Sequence, residues 1–245
     1  MALNAYLALT QQLLQNPAAP VALYDPSILS NYINIARVQV AGEGQCIRNI
    51  TIQPLIIGNY GPYSFLNFNA SDYPGVQGIL NIRTLWFGNG GYGWMTPRTW
   101  EWFALYNLSL SSLASPEGEP AEWSQLGQGA TGSIYITPIP NAAYELFADS
   151  VCYPVALADD TTVEAIPPLW QTAVPYFAAY LALLSAQTRA RMDEAEKMLQ
   201  LYELFTARAR QFANPEVMPL QYSQAIPPVR ATQYMGGQQP ARGGG

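Results

Sequence analysis

Acids beside tryptophans are the first place in this sequence to look for chemistry. Glu101, Glu117, Glu119 and Glu122 stand close to Trp100, Trp102 and Trp123. Two carboxyl groups in an aromatic cleft are the equipment of glycoside hydrolysis, one protonating the leaving oxygen and the other acting as nucleophile or base. Such a site would make the chain a carboxylate-dependent peptidoglycan hydrolase. The plainer reading is preferred: Glu117 and Glu119 fall in a Gly-Pro loop where acids are solvated, and tryptophans on a short helix belong to a core.

Other routes to catalysis close early. The chain contains no histidine, which removes imidazole-based nucleophile activation and His-containing zinc sites. Cys46 and Cys152 are isolated from each other in sequence and read as small apolar side chains in a reducing cytosol rather than as metal ligands. Gly88-Asn89-Gly90-Gly91-Tyr92-Gly93 has the glycines of a phosphate-cradling loop but neither the following Lys-Ser/Thr nor a βαβ frame, so it reads as a hairpin turn. Arg189, Arg191, Arg208 and Arg210 sit beside Asp193, Glu194, Glu196 and Glu203 on one helical stretch, the pattern of a solvated, salt-bridged helix face. No catalytic set, metal site or cofactor is expected, and the chain is read as a non-enzyme.

Composition points toward association. In 245 residues the apolar fraction is an ordinary 49%, but only 11% are charged, with 20 Pro, 19 Gly and 16 Tyr. A surface rich in Tyr, Asn, Gln and Ser suits a subunit covered by neighbours. The formal charge of -6 and the single lysine, Lys197, argue against gripping nucleic acid, which takes clustered Lys and Arg. They leave room for an acidic wall past which DNA slides. Met1 to Leu14 lacks the basic start of a signal peptide, and no apolar run is long enough for a membrane anchor.

The elements that would position these residues fall into three blocks. Leu3, Tyr6, Leu7, Leu13 and Leu14 give an amphipathic helix over Ala2 to Leu14 that Asn16-Pro17 stops. Asp25-Pro26 supplies an N-cap acid and a proline at the first helical position. The helix that follows has Ile28, Leu29, Tyr32, Ile33, Ala36 and Val40 on its inner face and is closed by Gly42 and Gly44. The longest helical stretch runs from Pro167 to Phe212. Its polar break at Ser185 to Asp193 leaves open whether it is one kinked helix or two antiparallel ones, and Pro175 either kinks or restarts it. Between these ends, strands are expected over Ile50–Ile57, Tyr63–Asn69 and Ile79–Phe87, and a short helix from Thr96-Pro97 through Trp100 to Asn107. A loop is expected over Ser115–Gly132, then a last strand pair over Gly132–Thr137 and Tyr144–Pro154. The fold class is therefore α+β: residues 1-45 and 165-213 form an antiparallel helical bundle, residues 46-164 a β-rich insertion, and residues 214-245 an extended C-terminal arm. The arm has no periodic core pattern and is rich in Pro and Gly, a composition that does not fold alone.

This order of elements resembles the head-to-tail adaptor (connector) proteins of tailed bacteriophages, including the tail tubular A type. Leu29-Ser30-Asn31-Tyr32-Ile33-Asn34-Ile35-Ala36-Arg37 is similar to that family's second helix, and Pro97-Arg98-Thr99-Trp100-Glu101-Trp102-Phe103 to its tryptophan-containing helix after a hairpin. Gly132 to Pro140 with Tyr144-Glu145-Leu146 resembles its strand, double-proline turn and strand, and Ile166-Pro167-Pro168-Leu169-Trp170 with Tyr176 to Ala182 its closing helix. The resemblance covers residues 1 to 212 and rests on packing patterns. It implies a homo-oligomeric ring, usually of twelve subunits, in the neck of the virion and assembled in the host cytoplasm. The ring sits between the portal and a tail or nozzle protein and makes transient contact with passing DNA. It also implies that the arm enters the portal, where it offers Tyr222, Ile226, Val229, Arg230, Tyr234 and Arg242. The other readings are the hydrolase above, carried in the virion, and another neck or tail-tube subunit.

Overall fold

The computed structural model describes residues 1–15, 23–88, 92–105, 117–185 and 189–213. Helix α1 (Leu3–Leu13) buries Leu3, Tyr6 and Thr10, and the Thr10 hydroxyl is satisfied by donating to the Tyr6 carbonyl at 2.8 Å. Helix α2 (Pro26–Gly44) begins where expected, because the Asp25 carboxylate accepts the Ser27 N–H at 2.7 Å and Pro26 needs no donor there. It ends on Gln45 in the left-handed conformation, φ 48°. Its inner face differs from the apolar count: Ile28 is exposed, whereas Arg37 is buried beside Leu29, Ile33, Ala36 and Val40.

The C-terminal stretch resolves into two helices. Helix α4 (Ala173–Ser185) begins after a turn over residues 168–172, so Pro175 sits in the first helical turn, where no intrahelical donor is lost. Helix α5 (Arg189–Ala213) runs back along it. Ring pairs Tyr176–Phe205, Phe177–Tyr202 and Trp170–Phe212, with centroids 4.6 to 5.7 Å apart, rise along one helix as they fall along the other, which makes the pair antiparallel. Leu14, Tyr24 and Leu29 from the N-terminal side share a core with Ala179, Ala182, Leu183 and Ala195.

The sheet is mixed and curled. Strands β1 (Arg48–Pro54), β2 (Tyr63–Ser64), β3 (Val76–Gly88), β4 (Tyr92–Arg98), β6 (Glu122–Leu126), β7 (Ser133–Thr137) and β9 (Glu145–Pro154) form a seven-stranded sheet in the order β1-β9-β3-β4-β6-β7-β2. Strands β5 (Glu117–Gly118) and β8 (Ile139–Pro140) pair separately. All contacts within the large sheet are antiparallel except β4 with β6. Its core face contributes Leu85, Phe87, Met95, Trp123, Ile134, Ile136 and Leu146, with Phe65 and Phe68 from the turn after β2, to a cluster that continues into Ile33, Ala36 and Val40 of α2 and Val174 of α4. Gly93 faces Phe87 across β3 and β4, and a Cβ there would lie 2.4 Å from the Phe87 ring, so the ring occupies the place of the missing side chain.

Several local expectations are corrected. After two residues of β2 the chain leaves the strand for 3-10 turns over Phe65–Asn67 and Asn69–Asp72, because Ser64 accepts the Leu66 N–H and Asn69 turns to accept the Ile52 N–H. The expected loop over 115–132 holds β5 and β6. Thr96-Pro97 lies in β4, beside Glu122 and Trp123 of β6, and the cap of helix α3 (Trp100–Phe103) is Thr99, whose hydroxyl accepts the Trp102 N–H at 3.3 Å. Strands β7 and β9 are not neighbours: β9 pairs with β1 and β3, and β7 with β6 and β2.

Candidate docking surfaces

The acids singled out from the sequence do not converge on a protected cleft. Glu101, Glu117 and Glu119 are exposed, and Glu122 is held by Arg98 through Nε at 2.9 Å and Nη2 at 2.5 Å. Arg98 itself lies over the Trp102 ring, 5.0 Å from its centroid. Trp100 packs between Phe103 and Tyr135, and Trp123 is buried in the sheet core. Gly88 of β3 pairs with Tyr92 of β4 as the flanks of a hairpin should, and Asn89, Gly90 and Gly91 lie outside the described residues. Among the described residues no group of three or more His, Cys, Asp or Glu side chains could hold a metal ion, and no helix is long and apolar enough to cross a membrane.

The cysteines are chemically quiet. Burial pushes the Cys46 thiol up to about 12 and the Cys152 thiol up to about 11, so neither carries appreciable thiolate at neutral pH. On α5, Arg191 pairs with Glu194 at 3.2 Å, and Asp193, Glu196, Glu203 and Arg208 are exposed, the solvated face that the charge pattern implies.

What the fold builds instead are arginine clamps and apolar surfaces. Arg37 and Glu164, 1% and 6% exposed, form a two-pronged ion pair, Nε to Oε2 at 2.9 Å and Nη2 to Oε1 at 2.8 Å. The remaining Arg37 nitrogen donates to the Val155 carbonyl at 2.7 Å, Asn34 bonds both the N–H and the carbonyl of Leu157, and Glu164 accepts the Ile166 N–H. These bonds fasten the segment leaving β9 onto α2. The buried Tyr6 phenol lies beside Glu164, and burial first, then that carboxylate, raises its pKa above the ordinary tyrosine value. A second clamp holds the end of α5: Arg48 of β1 and Arg83 of β3 both donate to the Ala213 carbonyl, and Arg48 also grips Asp149 of β9 with both prongs. The point where residues 214–245 begin is therefore tied to the sheet.

Two helices each carry exposed apolar side chains on one side. Ile28, Ile35 and Val38 lie on one side of α2, and Leu201, Leu204 and Phe212 on one side of α5. The sequence-proposed portal residues Tyr222, Ile226, Val229, Arg230, Tyr234 and Arg242 lie outside the described residues.

The family model of the SU10 adaptor protein matches residues 6–228. The chain belongs to the SU10 adaptor protein family. That family is of the phage head-tail adaptor type, which gives the chain a structural role in the virion and other virion components as partners. No curated protein matches it. The match runs through both helical blocks, the sheet and the first half of the arm, so Arg48, Arg83 and Ala213 all lie inside the matched stretch. Sequence reasoning named Arg37 only as the end of the stretch that resembles the family's second helix, and missed its role and those of Arg48 and Arg83; the signals were an arginine on an otherwise apolar helix stripe and arginines within strands.

Proposed function

We propose that this adaptor assembles into a closed ring, of twelve subunits in the reading that the tail tubular A likeness suggests, seated between the portal and a tail or nozzle protein. Its C-terminal arm reaches into the portal and its inner wall passes DNA. The observation that carries the reading is the coincidence at Ala213. A family module of adaptor type extends to residue 228, and just where its last helix ends two arginines hold the chain to the sheet. A segment meant for another molecule is served by a fixed point of departure.

The apolar sides of α2 and α5 support the ring. They lie on two different helices of one subunit, and a head-to-tail contact, which pairs two different patches, closes into a ring when the rotation per subunit divides a full turn. The net charge of -6 suits a wall that DNA passes without being held. In the arm, Tyr222, Ile226, Val229 and Tyr234 supply apolar and aromatic anchors and Arg230 and Arg242 the charges. Burying apolar side chains of that size contributes about 1.5–3 kcal/mol each before the cost of ordering the arm.

Removal of residues 221–245 tests it. The truncated chain should melt like the full chain yet no longer co-sediment with portal; undiminished co-sedimentation would sink the arm's role.

A further inference from the structure

We infer that the first stretch of the arm, Val217-Met218-Pro219-Leu220, docks on its own subunit, on an aromatic row across the outer face of the sheet, and so sets the direction in which the rest of the arm leaves. Ile52, Phe147, Trp86 and Trp94 stand directly opposite one another on the neighbouring strands β1, β9, β3 and β4. Trp86 stacks on Phe147 with centroids 5.9 Å apart and lies 5.2 Å from Trp94. The row belongs to the face opposite the core, since Leu146 and Ala148 on either side of Phe147 are fully buried. Trp94 is 71% exposed, and Ile52, Trp86 and Phe147 are half-buried. Large aromatic residues in register across several strands form a contiguous apolar surface of the kind that marks an interaction site.

The occupant follows from where α5 stops. Asp149, two residues along β9 from Phe147 and so on the same face, is gripped by Arg48, and Arg48 with Arg83 holds the Ala213 carbonyl. Ala213 is therefore held at the rim of the sheet, beside the edge of the face that carries the row. Along β1 the row lies four residues beyond Arg48, about 13 Å. Pro215 prevents α5 from continuing, and the first apolar residues after it are Val217, Met218, Pro219 and Leu220. Seven extended residues from Asn214 span up to about 23 Å, enough to reach the row and too few to pass far beyond it. Side chains of residues 217–220 against Trp86 and Trp94 bury apolar surface on both sides, and the proline lowers the entropy lost on docking. Because the arm is covalently attached at the edge of this surface, its own subunit sees it at a far higher effective concentration than any free partner does.

The proposal goes beyond the portal reading and is separable from it, since docking of residues 217–220 is independent of what residues 221–245 meet. The test is a pair of double-cysteine variants of the full chain, T84C/M218C and T84C/Y234C. Thr84 is exposed, on the row's face of β3 beside Trp86. Under mild oxidation at neutral pH, cross-links are read by size on a non-reducing gel and by peptide mapping, which separates bonds between the introduced cysteines from any to the half-buried Cys46 or the buried Cys152. The T84C/M218C pair should close within one chain at least about tenfold faster than T84C/Y234C. Adding W94S to it should remove most of that advantage. Equal rates for the two pairs would overturn the proposal, and so would T84C/M218C bonds that form only between chains, which would give the row to a second copy.

Discussion

The two arginine clamps do the same mechanical job in opposite surroundings. Arg37 with Glu164 is sealed between α2 and the segment that follows β9, and every prong is spent on a carboxylate or a carbonyl. Arg48 with Asp149 stays 31% and 17% exposed and shares the Ala213 carbonyl with Arg83. The first is part of the core and holds the helical layer to the sheet. The second lies at the rim and holds the end of a helix from which another segment departs. Burial decides the difference, because a sealed charge depends wholly on its partner while a wet one can turn to solvent.

The comparison breaks most sharply if one half of the sealed pair is removed. R37M strands Glu164 as a buried charge and should cost about 3–5 kcal/mol of stability in urea unfolding. R37M/E164L, which removes both charges, should recover much of that loss; a double variant as unstable as the single one would argue that the pair itself holds the fold. The sheet side of the molecule should yield next. G93A drives a methyl into the Phe87 ring and should cost about 1–3 kcal/mol by the same measurement.

A pH series sharpens the contrast at the helical layer. The Tyr202 hydroxyl donates to Glu43 at 2.6 Å, and burial followed by that carboxylate raises its pKa, as burial and Glu164 raise that of Tyr6. A raised folded-state value means that the stabilisation is complete below the ordinary tyrosine pKa of about 10 and is lost as pH climbs past it toward the folded value. Thermal unfolding should therefore fall steeply in alkali, and Y202F should fall less steeply while losing about 1 kcal/mol at neutral pH through its lost hydrogen bond. The smallest stability change belongs to the rim clamp. R48Q should cost no more than about 1 kcal/mol, diminishing with added salt, and its main effect should be faster protease cleavage just after Ala213.

Much of the helical block was legible because its cues are local. Asp25-Pro26 marked the start of α2 through a cap bond to Ser27, and alternation marked β9, where Tyr144, Leu146 and Ala148 are buried and Glu145 is exposed. Strands β4 and β6 escaped because their cues are not local: Thr96-Pro97 and Glu122-Trp123 have no alternation to read, and they become strands by pairing in parallel across the intervening residues. Residues 65–69 read as strand from composition but turn away because the side chains of Ser64 and Asn69 take backbone N–H groups. The buried pairing of Arg37 was invisible for a related reason, since an apolar count along α2 cannot register a charge whose partner lies 127 residues away. The α+β class, by contrast, depended only on the segregation of helical ends from a strand-rich middle, which composition and periodicity carry together.

An electron-microscopy map of the full chain bound to its portal bears most directly on the adaptor account. The account predicts a closed ring seated on the portal, with Tyr222 to Tyr234 of each arm packed into portal grooves. A ring whose arms end on their own subunits with no portal contact, or chains stacked along a tail tube, would contradict it.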